Sequence, residues 1–387
     1  MRLPAVVPVA LMCARMALAQ DSVAVARNDT ATAVVAAGNI AAYASVAQRH
    51  RRFYASRPYG SERQFNPLSE ILNEGYDILR VGDRTRHVFR DVPYSPNFRM
   101  ILRTLGNPVA TYREYGFRRA LRNEILPLSS RSADGGGAWL PNYEFHLLGS
   151  GMVSVRVEEW AEQHDIPHPL VVSAITMGAA HLLNETVENG GSRYSEDALT
   201  DLAVFDVLGF MMFRADRVQR AFSGAVELTN WPGQISYVAS TGTVENLGQQ
   251  FILRAPLPRT DKLRFFTAFG ISNIVGLSYG ARRGLNVSVG GGAEVVDLPL
   301  VDASTGARTT RLAPSWGLFA DREGSLLASA LSTGNVDAVA MFNLYPGVVS
   351  VAGVSPGLWL HVLKDGRLRF GMASPLGIGI GRNPQPR

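Results

Sequence analysis

The hydrophobic period of this chain changes near residue 225, and that change constrains the fold more than any other feature. Between about residues 66 and 222, apolar residues recur every three or four positions, which is the period of helices. After residue 225 they alternate with small or polar residues, as in Arg264–Gly280 and Leu285–Val295, which is the period of strands. The sequence therefore predicts an α+β protein, with a helical domain over 66–222 followed by an antiparallel β-domain over 225–383.

The β-domain is predicted to have about eight strands, either closed into an antiparallel barrel or laid out as a sheet. Shorter alternating runs follow the two long ones, and Lys364-Asp365-Gly366-Arg367 is typical of a hairpin turn. One bulky apolar face and one small or polar face favour an outer-membrane barrel. A soluble β-domain would show the same alternation, and the chain lacks the terminal aromatic residue typical of such barrels.

The N-terminus predicts export from the cytoplasm. Arg2 precedes the apolar run Leu3–Met16, and Ala17-Leu18-Ala19 has the small-residue pattern of a cleavage site, so residues 1–19 form a predicted signal peptide. The single cysteine, Cys13, falls within this signal, which excludes disulfides and cysteine-ligated metals from the mature chain. Small residues and a basic cluster over 20–65 predict a linker or arm. We expect the protein in the cell envelope, at the outer membrane or in the periplasm of a Gram-negative-type bacterium.

The charge balance indicates which partners are reasonable. The formal net charge is +5, and it comes almost wholly from arginine. Because the arginines are scattered, we expect no nucleic-acid partner and favour an anionic membrane lipid surface. The sequence identifies no protein partner.

Ionisable residues in three apolar helices form the candidate site. These helices are predicted over about Asn142–Gln163, Leu170–Glu188 and Ser195–Phe213. Carboxylates on a buried helix face are costly unless they have partners, so we expect them to pair or to bind something. The candidates for catalysis are His146, His181, Glu185, Glu188 and Asp201, and those for metal ligation are His181, Glu185 and Glu188.

The spacing of these residues leaves the chemistry open. His181, Glu185 and Glu188 share one helix face but match neither the zinc-protease motif nor the di-iron Glu-x-x-His motif. A structural seam of hydrogen bonds is therefore favoured over a site, with a divalent metal as the alternative and no other cofactor predicted. Asp206 comes nine residues after Asp197, on the opposite side of a regular α-helix, and is expected to lie outside the cluster.

The same region resembles a family of uncharacterised bacterial envelope proteins associated with the outer membrane. The resemblance lies in His146-x-x-Gly149, Glu185-x-x-Glu188, Ser195-x-Asp197 and a closing Gly209, over about 70 of the 387 residues. It departs from the family where His181 to Asn184 replaces an expected aromatic residue. The resemblance implies an envelope location and helices followed by strands, and it implies no activity.

Three functions follow as expectations. The first is a non-enzymatic envelope protein whose acidic and histidine residues form a seam near the β-domain. The second is a membrane-surface hydrolase or lipid-modifying enzyme that uses the same residues for metal binding or general-base catalysis. The third is a soluble periplasmic module that binds a small ligand.

Overall fold

The computed structural model describes residues 52–81, 87–126, 139–189, 193–270, 272–296, 300–301, 308–309, 312–333, 337–350 and 352–383. The predicted signal peptide and residues 20–51 of the predicted linker lie outside the described residues.

Helices form the first part of the described chain. The α-helices are α1 (Gly60–Gln64), α2 (Pro67–Gly75), α3 (Tyr94–Gly106), α4 (Pro108–Tyr115), α5 (Phe117–Ala120), α6 (Gly151–Gln163), α7 (Pro169–Glu188), α8 (Glu196–Thr200), α9 (Asp206–Met212) and α10 (Asp216–Arg220). Three π-helical segments continue an α-helix or lead into one: Leu121–Ile125 after α5, Trp139–Ser150 before α6, and Asp201–Phe205 between α8 and α9. A fourth π-helical segment, Ala221–Ala225, follows α10.

The three long helices predicted from the sequence are confirmed. The first comprises the π-helical segment that ends at Ser150 together with α6, the second is α7, and the third runs from α8 through α9. The Ser195 hydroxyl accepts a hydrogen bond from the N–H of Ala198, as expected of an N-cap. Only the regularity differs, since the first and third helices contain π-helical turns.

The strands confirm the α+β class but not the predicted number of strands or the barrel. The strands are β1 (Glu227–Asn230), β2 (Ser236–Val238), β3 (Thr243–Glu245), β4 (Gln250–Pro256), β5 (Leu263–Gly270), β6 (Ser272–Gly280), β7 (Leu285–Val295), β8 (Leu300–Val301), β9 (Arg308–Thr309), β10 (Leu312–Arg322), β11 (Ser325–Thr333), β12 (Ala338–Leu344), β13 (Gly357–Leu363), β14 (Leu368–Ala373) and β15 (Gly379–Arg382). Among the described residues, thirteen of them pair in the order β1-β4-β5-β6-β7-β10-β11-β12-β13-β14-β15-β2-β3, and β8 pairs with β9.

This order is open, and the prediction of an eight-stranded barrel was wrong. The sheet begins at β1 and ends at β3, and β15 joins β2 in a parallel pair whereas the other neighbours are antiparallel. Strands of three or four residues, such as β1 to β3, are too short to show an alternation that could be counted. The pairing of β15 with β2 links distant parts of the chain, which a local period cannot reveal.

The bulky face of the sheet points outward. Val275, Leu277, Val289 and Trp316 are 46–64% exposed, whereas serines on the opposite face of the same strands are buried. These side chains lie close together, because Leu277 and Leu318 are the register partners of Val289 on the two neighbouring strands. A water-facing sheet normally has the reverse arrangement, with its apolar face on the core. The residues that share this outer apolar face are Val275, Leu277, Tyr279, Val289, Leu312, Trp316, Leu358, Leu368, Phe370, Met372 and Ile380.

The segment 52–65 is packed, so the linker prediction does not hold for this described part. The backbone N–H groups of Phe53 and Tyr54 each donate to the Glu159 carboxylate at 2.8 Å, and both rings are buried. Phe53, Tyr54 and Phe65 share a core with α6 residues and with Phe251 and Phe269 of the sheet. The composition of the segment could not indicate this, because its partner Glu159 is more than a hundred residues away.

Among the described residues, α7 is the helix that is long and apolar enough to cross a membrane. In its most apolar window, 44% of the residues are buried in the structure. The exposed residues of α7, which include Val171 and Ile175, lie beside the candidate site.

Candidate metal centre

Three helices bring His146, His181 and Asp206 together in the interior. One ligand atom from each of the three lies within 4.8 Å of the others. His146 Nδ1 is 2.8 Å from Asp206 Oδ1, and His181 Nδ1 pairs with the other oxygen of the same carboxylate. The two imidazole rings stand nearly perpendicular, with centroids 5.4 Å apart. Two imidazoles and a carboxylate at this separation could hold a metal ion.

Asp206 reaches this position because the helix before it is π-helical. The segment Asp201–Phe205 has i→i+5 hydrogen bonding, and the N–H of Asp206 donates to the carbonyl of Asp201. A π-helical turn holds one more residue than an α-helical one, so it changes the face on which later residues lie. The sequence-based expectation that Asp206 lies outside the cluster was therefore wrong.

Close helix packing holds the same residues in place. A Cβ atom on Gly209, one turn after Asp206, would lie 2.9 Å from the carbonyl oxygen of His146 and 2.8 Å from that of Leu147. This glycine therefore lets α9 approach the backbone that carries His146. The sequence singled out Gly209 only through the family resemblance.

Glu74 of α2 also belongs to the site, although it was not predicted from the sequence. Its Oε1 atom lies 2.6 Å from His181 Nε2 and accepts a hydrogen bond from the Ser150 hydroxyl at 2.7 Å. The Asn184 side chain donates to the backbone carbonyl of Glu74 at 2.8 Å. The sequence pattern that could have indicated Glu74 is Glu70-x-x-x-Glu74, which places two carboxylates on one face of a short helix. In the structure both side chains are 1% exposed.

His181 lies between two carboxylates, which favour its positively charged form. Burial by itself lowers the pKa of His181, but the charges and hydrogen bonds of Asp206 and Glu74 outweigh it and raise that pKa well above the usual value. For Asp206, burial raises the pKa, while His181 and His146 overcome this and lower it to about 2. The arrangement therefore favours an imidazolium at His181 paired with an ionised Asp206.

A second group of carboxylates adjoins the centre. Burial raises the pKa of Glu185 and of Asp201 well above the usual values, and the neighbouring carboxylates Glu188 and Asp197 raise both further. Asp201 Oδ2 is 3.7 Å from His146 Nε2, and the Asn189 side chain donates to Glu185 at 2.7 Å. Burial and mutual repulsion therefore both favour the neutral forms of Glu185 and Asp201.

The predicted residues thus separate into two groups. His146 and His181 join the candidate metal centre, and Asp201 touches it through His146. Of the predicted metal ligands, His181 is a member of that centre, whereas Glu185 and Glu188 are not.

A cavity of about 240 Å³ lies against the centre. Its polar lining comes from His181, Asp206, Ser150 and Ser154, and the remaining walls are apolar or glycine. A larger groove of about 720 Å³ beside Asn107 and Arg193 contains no residue of the centre, so the smaller cavity is the one relevant to its chemistry. The residues that complete the smaller cavity are Ala174, Met177, Gly178, Leu202, Val207, Phe210 and Met211.

Comparison with models of protein families, with curated proteins and with solved structures found no match to this chain. The resemblance to an envelope family therefore stays a prediction from the sequence.

Proposed function

We propose that this protein is a membrane-associated metalloprotein of the bacterial envelope, in which His146, His181 and Asp206 bind a divalent cation. The observation that carries the proposal is the convergence of their three ligand atoms within 4.8 Å. Two imidazoles and one carboxylate suit Zn²⁺ and Fe²⁺ better than the oxygen-seeking Mg²⁺ or Ca²⁺. Three protein ligands also leave coordination positions for water or a ligand.

The hydrogen bonds of the centre define how a cation would enter. Both histidines point a ring nitrogen at Asp206, and an ionised carboxylate can only accept, so each of these nitrogens carries a proton in the metal-free state. His181 has a carboxylate partner at each ring nitrogen, so a cation at Nδ1 would displace one proton while Nε2 keeps its bond to Glu74. Binding should therefore release a proton from His181 and strengthen as the pH rises.

Glu74 supports this proposal from behind His181. Metal-binding histidines usually donate their second ring N–H to a carboxylate, which fixes the tautomer and the ring orientation. Glu74 occupies that position at 2.6 Å from His181 Nε2. Its own geometry is fixed by bonds from Ser150 and Asn184.

The outer face of the sheet supports the membrane part of the proposal. Its exposed apolar side chains and buried polar ones follow the pattern of strands that contact lipid. Export, predicted from the N-terminal sequence, is consistent with an envelope location. The open sheet order indicates association through one face, since an unpaired strand edge is costly inside a bilayer.

A second candidate is the lipid-modifying or hydrolytic enzyme. The specific observation in its favour is the cavity that His181 and Asp206 line. A cation held there would lower the pKa of a bound water and supply a nucleophile at neutral pH. The metal-binding proposal does not depend on this activity.

A third candidate is a metal-free structural seam. It is favoured by the fact that both ring nitrogens of His181 already have carboxylate partners. In that case the imidazolium ties α2, α7 and α9 together through charged hydrogen bonds to Glu74 and Asp206.

Metal analysis of the purified full-length chain distinguishes the metal site from the metal-free seam. After exposure to Zn²⁺ and removal of excess ion, we expect the wild type to retain zinc and His146→Ala to lose it. His146 is the best target because its removal leaves the pairs of His181 intact. His164→Ala is the matched control, since His164 is exposed and stacks on Trp160 outside the centre. A wild type that retains no more zinc than His146→Ala would refute the proposal and favour the seam.

A further inference from the structure

We infer that the cavity beside the metal centre takes the acyl chain of a single-chain lipid whose oxyanion head group faces His181 and Asp206. This inference rests on the proposed function and names the ligand class of the same site.

The cavity is divided into a polar end and an apolar body. His181 and Asp206 are the charged residues that line it, and both belong to the metal centre. Met177, Leu202 and Phe210 form apolar walls. This division matches an amphiphile, with an oxygen-bearing head at the cation and a hydrocarbon chain along the walls.

The opening of the cavity lies in an exposed apolar surface. Ala174, Gly178, Val207 and Met211 line the cavity and are also exposed, so they form its rim. Beside this rim, Ile175 is 65% exposed and Val171 is 53% exposed. A ligand drawn from water would meet a rim without charged groups, whereas a lipid would meet a surface like its own chain.

The same apolar surface indicates lipid as the source of the ligand. It belongs partly to α7, the described helix whose length and composition would suit a membrane. The outer face of the sheet is also apolar. Two separate surfaces of the chain therefore suit lipid contact, and the cavity opens in one of them.

The cavity volume limits what can enter. About 240 Å³ corresponds to about eight water molecules at about 30 Å³ each, which is less than a typical pocket for a drug-sized ligand. It accommodates part of one hydrocarbon chain, with the rest lying along the rim.

Gly178 provides a direct test, because it lies on the rim in the middle of α7. A Cβ atom placed on it would meet nothing within 4 Å. An alanine there should therefore be accommodated, and it favours the helix, since glycine is a poor helix former. A phenylalanine should fill the opening without displacing the backbone.

The experiment measures binding of dodecanoate, dodecyl phosphate, dodecanol and acetate to the zinc-loaded full-length chain by calorimetry. We expect both oxyanion lipids to bind, with dodecanol and acetate at least tenfold weaker. Gly178→Phe should weaken dodecanoate binding at least tenfold, and Gly178→Ala should change it less than threefold. Ala174→Phe, on the same rim, is a second blocking variant in case Gly178→Phe fails to fold. Ala203→Phe is the control, because Ala203 is exposed but does not line the cavity.

Zinc content measured in the same samples separates the two proposals. If both blocking variants fold and their dodecanoate affinity is unchanged, the inference is overturned. If the wild type retains zinc in the same experiment, the proposed function still stands. Equal affinity for dodecanol and dodecanoate would overturn the assignment of the head group. The chain could also retain no zinc and still bind dodecanoate, with the blocking variants abolishing that binding. This result would support the acyl-chain cavity and refute the metal site.

Discussion

Asp201 and Asp206 both face the His146 ring, although they lie five residues apart in one helix. His146 Nε2 is 3.7 Å from Asp201 and its Nδ1 is 2.8 Å from Asp206. In a regular α-helix, residues five apart are separated by about 140° around the axis and cannot share one ring. The π-helical segment Asp201–Phe205 brings them to the same side. A local irregularity of the helix therefore creates the site.

Gly209→Ala should disturb the centre. Its Cβ atom would lie 2.8–2.9 Å from two backbone oxygens, which cannot move as a flexible side chain can. We expect the free energy of unfolding to fall by about 1–3 kcal/mol, as for other overpacked sites. Urea denaturation followed by tryptophan fluorescence measures this.

Gly178→Ala is the matched control for this prediction. It replaces a glycine in the middle of a helix where the added atom meets nothing, so it should raise the free energy of unfolding by about 0.5–1 kcal/mol. Equal destabilisation by both substitutions would contradict the packing argument.

Glu70 should make the protein less stable as the pH rises. Burial first, and then the charge of Glu74, raise the pKa of Glu70 from 4.5 to about 8. In the unfolded chain Glu70 releases its carboxyl proton at lower pH than in the folded chain. The contribution of Glu70 to stability is therefore present below pH 4.5 and is lost as the pH rises toward 8. The loss is about 1.4 kcal/mol for each pH unit in that window.

Glu70→Gln should flatten this dependence. The amide keeps an oxygen that accepts the hydrogen bond from the Gln249 side chain. We expect the variant to be more stable than the wild type at pH 8 and close to it at pH 4.5, in urea denaturation at both values. Glu114→Gln, at an exposed position, should leave the profile unchanged. Parallel profiles for the wild type and Glu70→Gln would show that Glu70 does not titrate in this window.

Glu74→Gln should weaken metal binding without abolishing it. Glu74 contacts His181 and is absent from the group of three ligands, so its effect on a cation would be indirect. Replacing such a supporting carboxylate typically reduces metal affinity about 10–100-fold. Competition with a chelator measures the change, and Asp206→Asn should lose far more. An affinity equal to that of the wild type would show that Glu74 does not support the site.

The sequence predicted the order of helices and strands, because each has a local period. It could place His146, His181 and Asp201 near one another, because they lie on three successive apolar helices. It misplaced Asp206, because a π-helical turn has no local signal in the residues Asp201–Phe205. It missed Glu74, because the contact with His181 joins residues 107 positions apart.

The sheet shows the same division between local and long-range information. The alternation in Leu285–Val295 separates its two faces, but it does not tell which face meets the core. The pairing of β15 with β2 decides how the strands are arranged, and no local pattern encodes it. The number and order of strands therefore required the structure.

Val289→Lys tests whether the outer face of the sheet contacts lipid. Val289 is 56% exposed between Leu277 and Leu318, so a lysine should be tolerated in the folded chain. In contact with lipid it would cost up to about 4 kcal/mol, depending on depth. We expect Val289→Lys to reduce co-flotation with phosphatidylcholine vesicles at least tenfold, whereas Val109→Lys, at a helix position that is 62% exposed, should not. Phosphatidylcholine is used because its zero net charge removes the attraction of added lysine for anionic lipid. Equal flotation of the two variants would place the lipid contact elsewhere on the molecule.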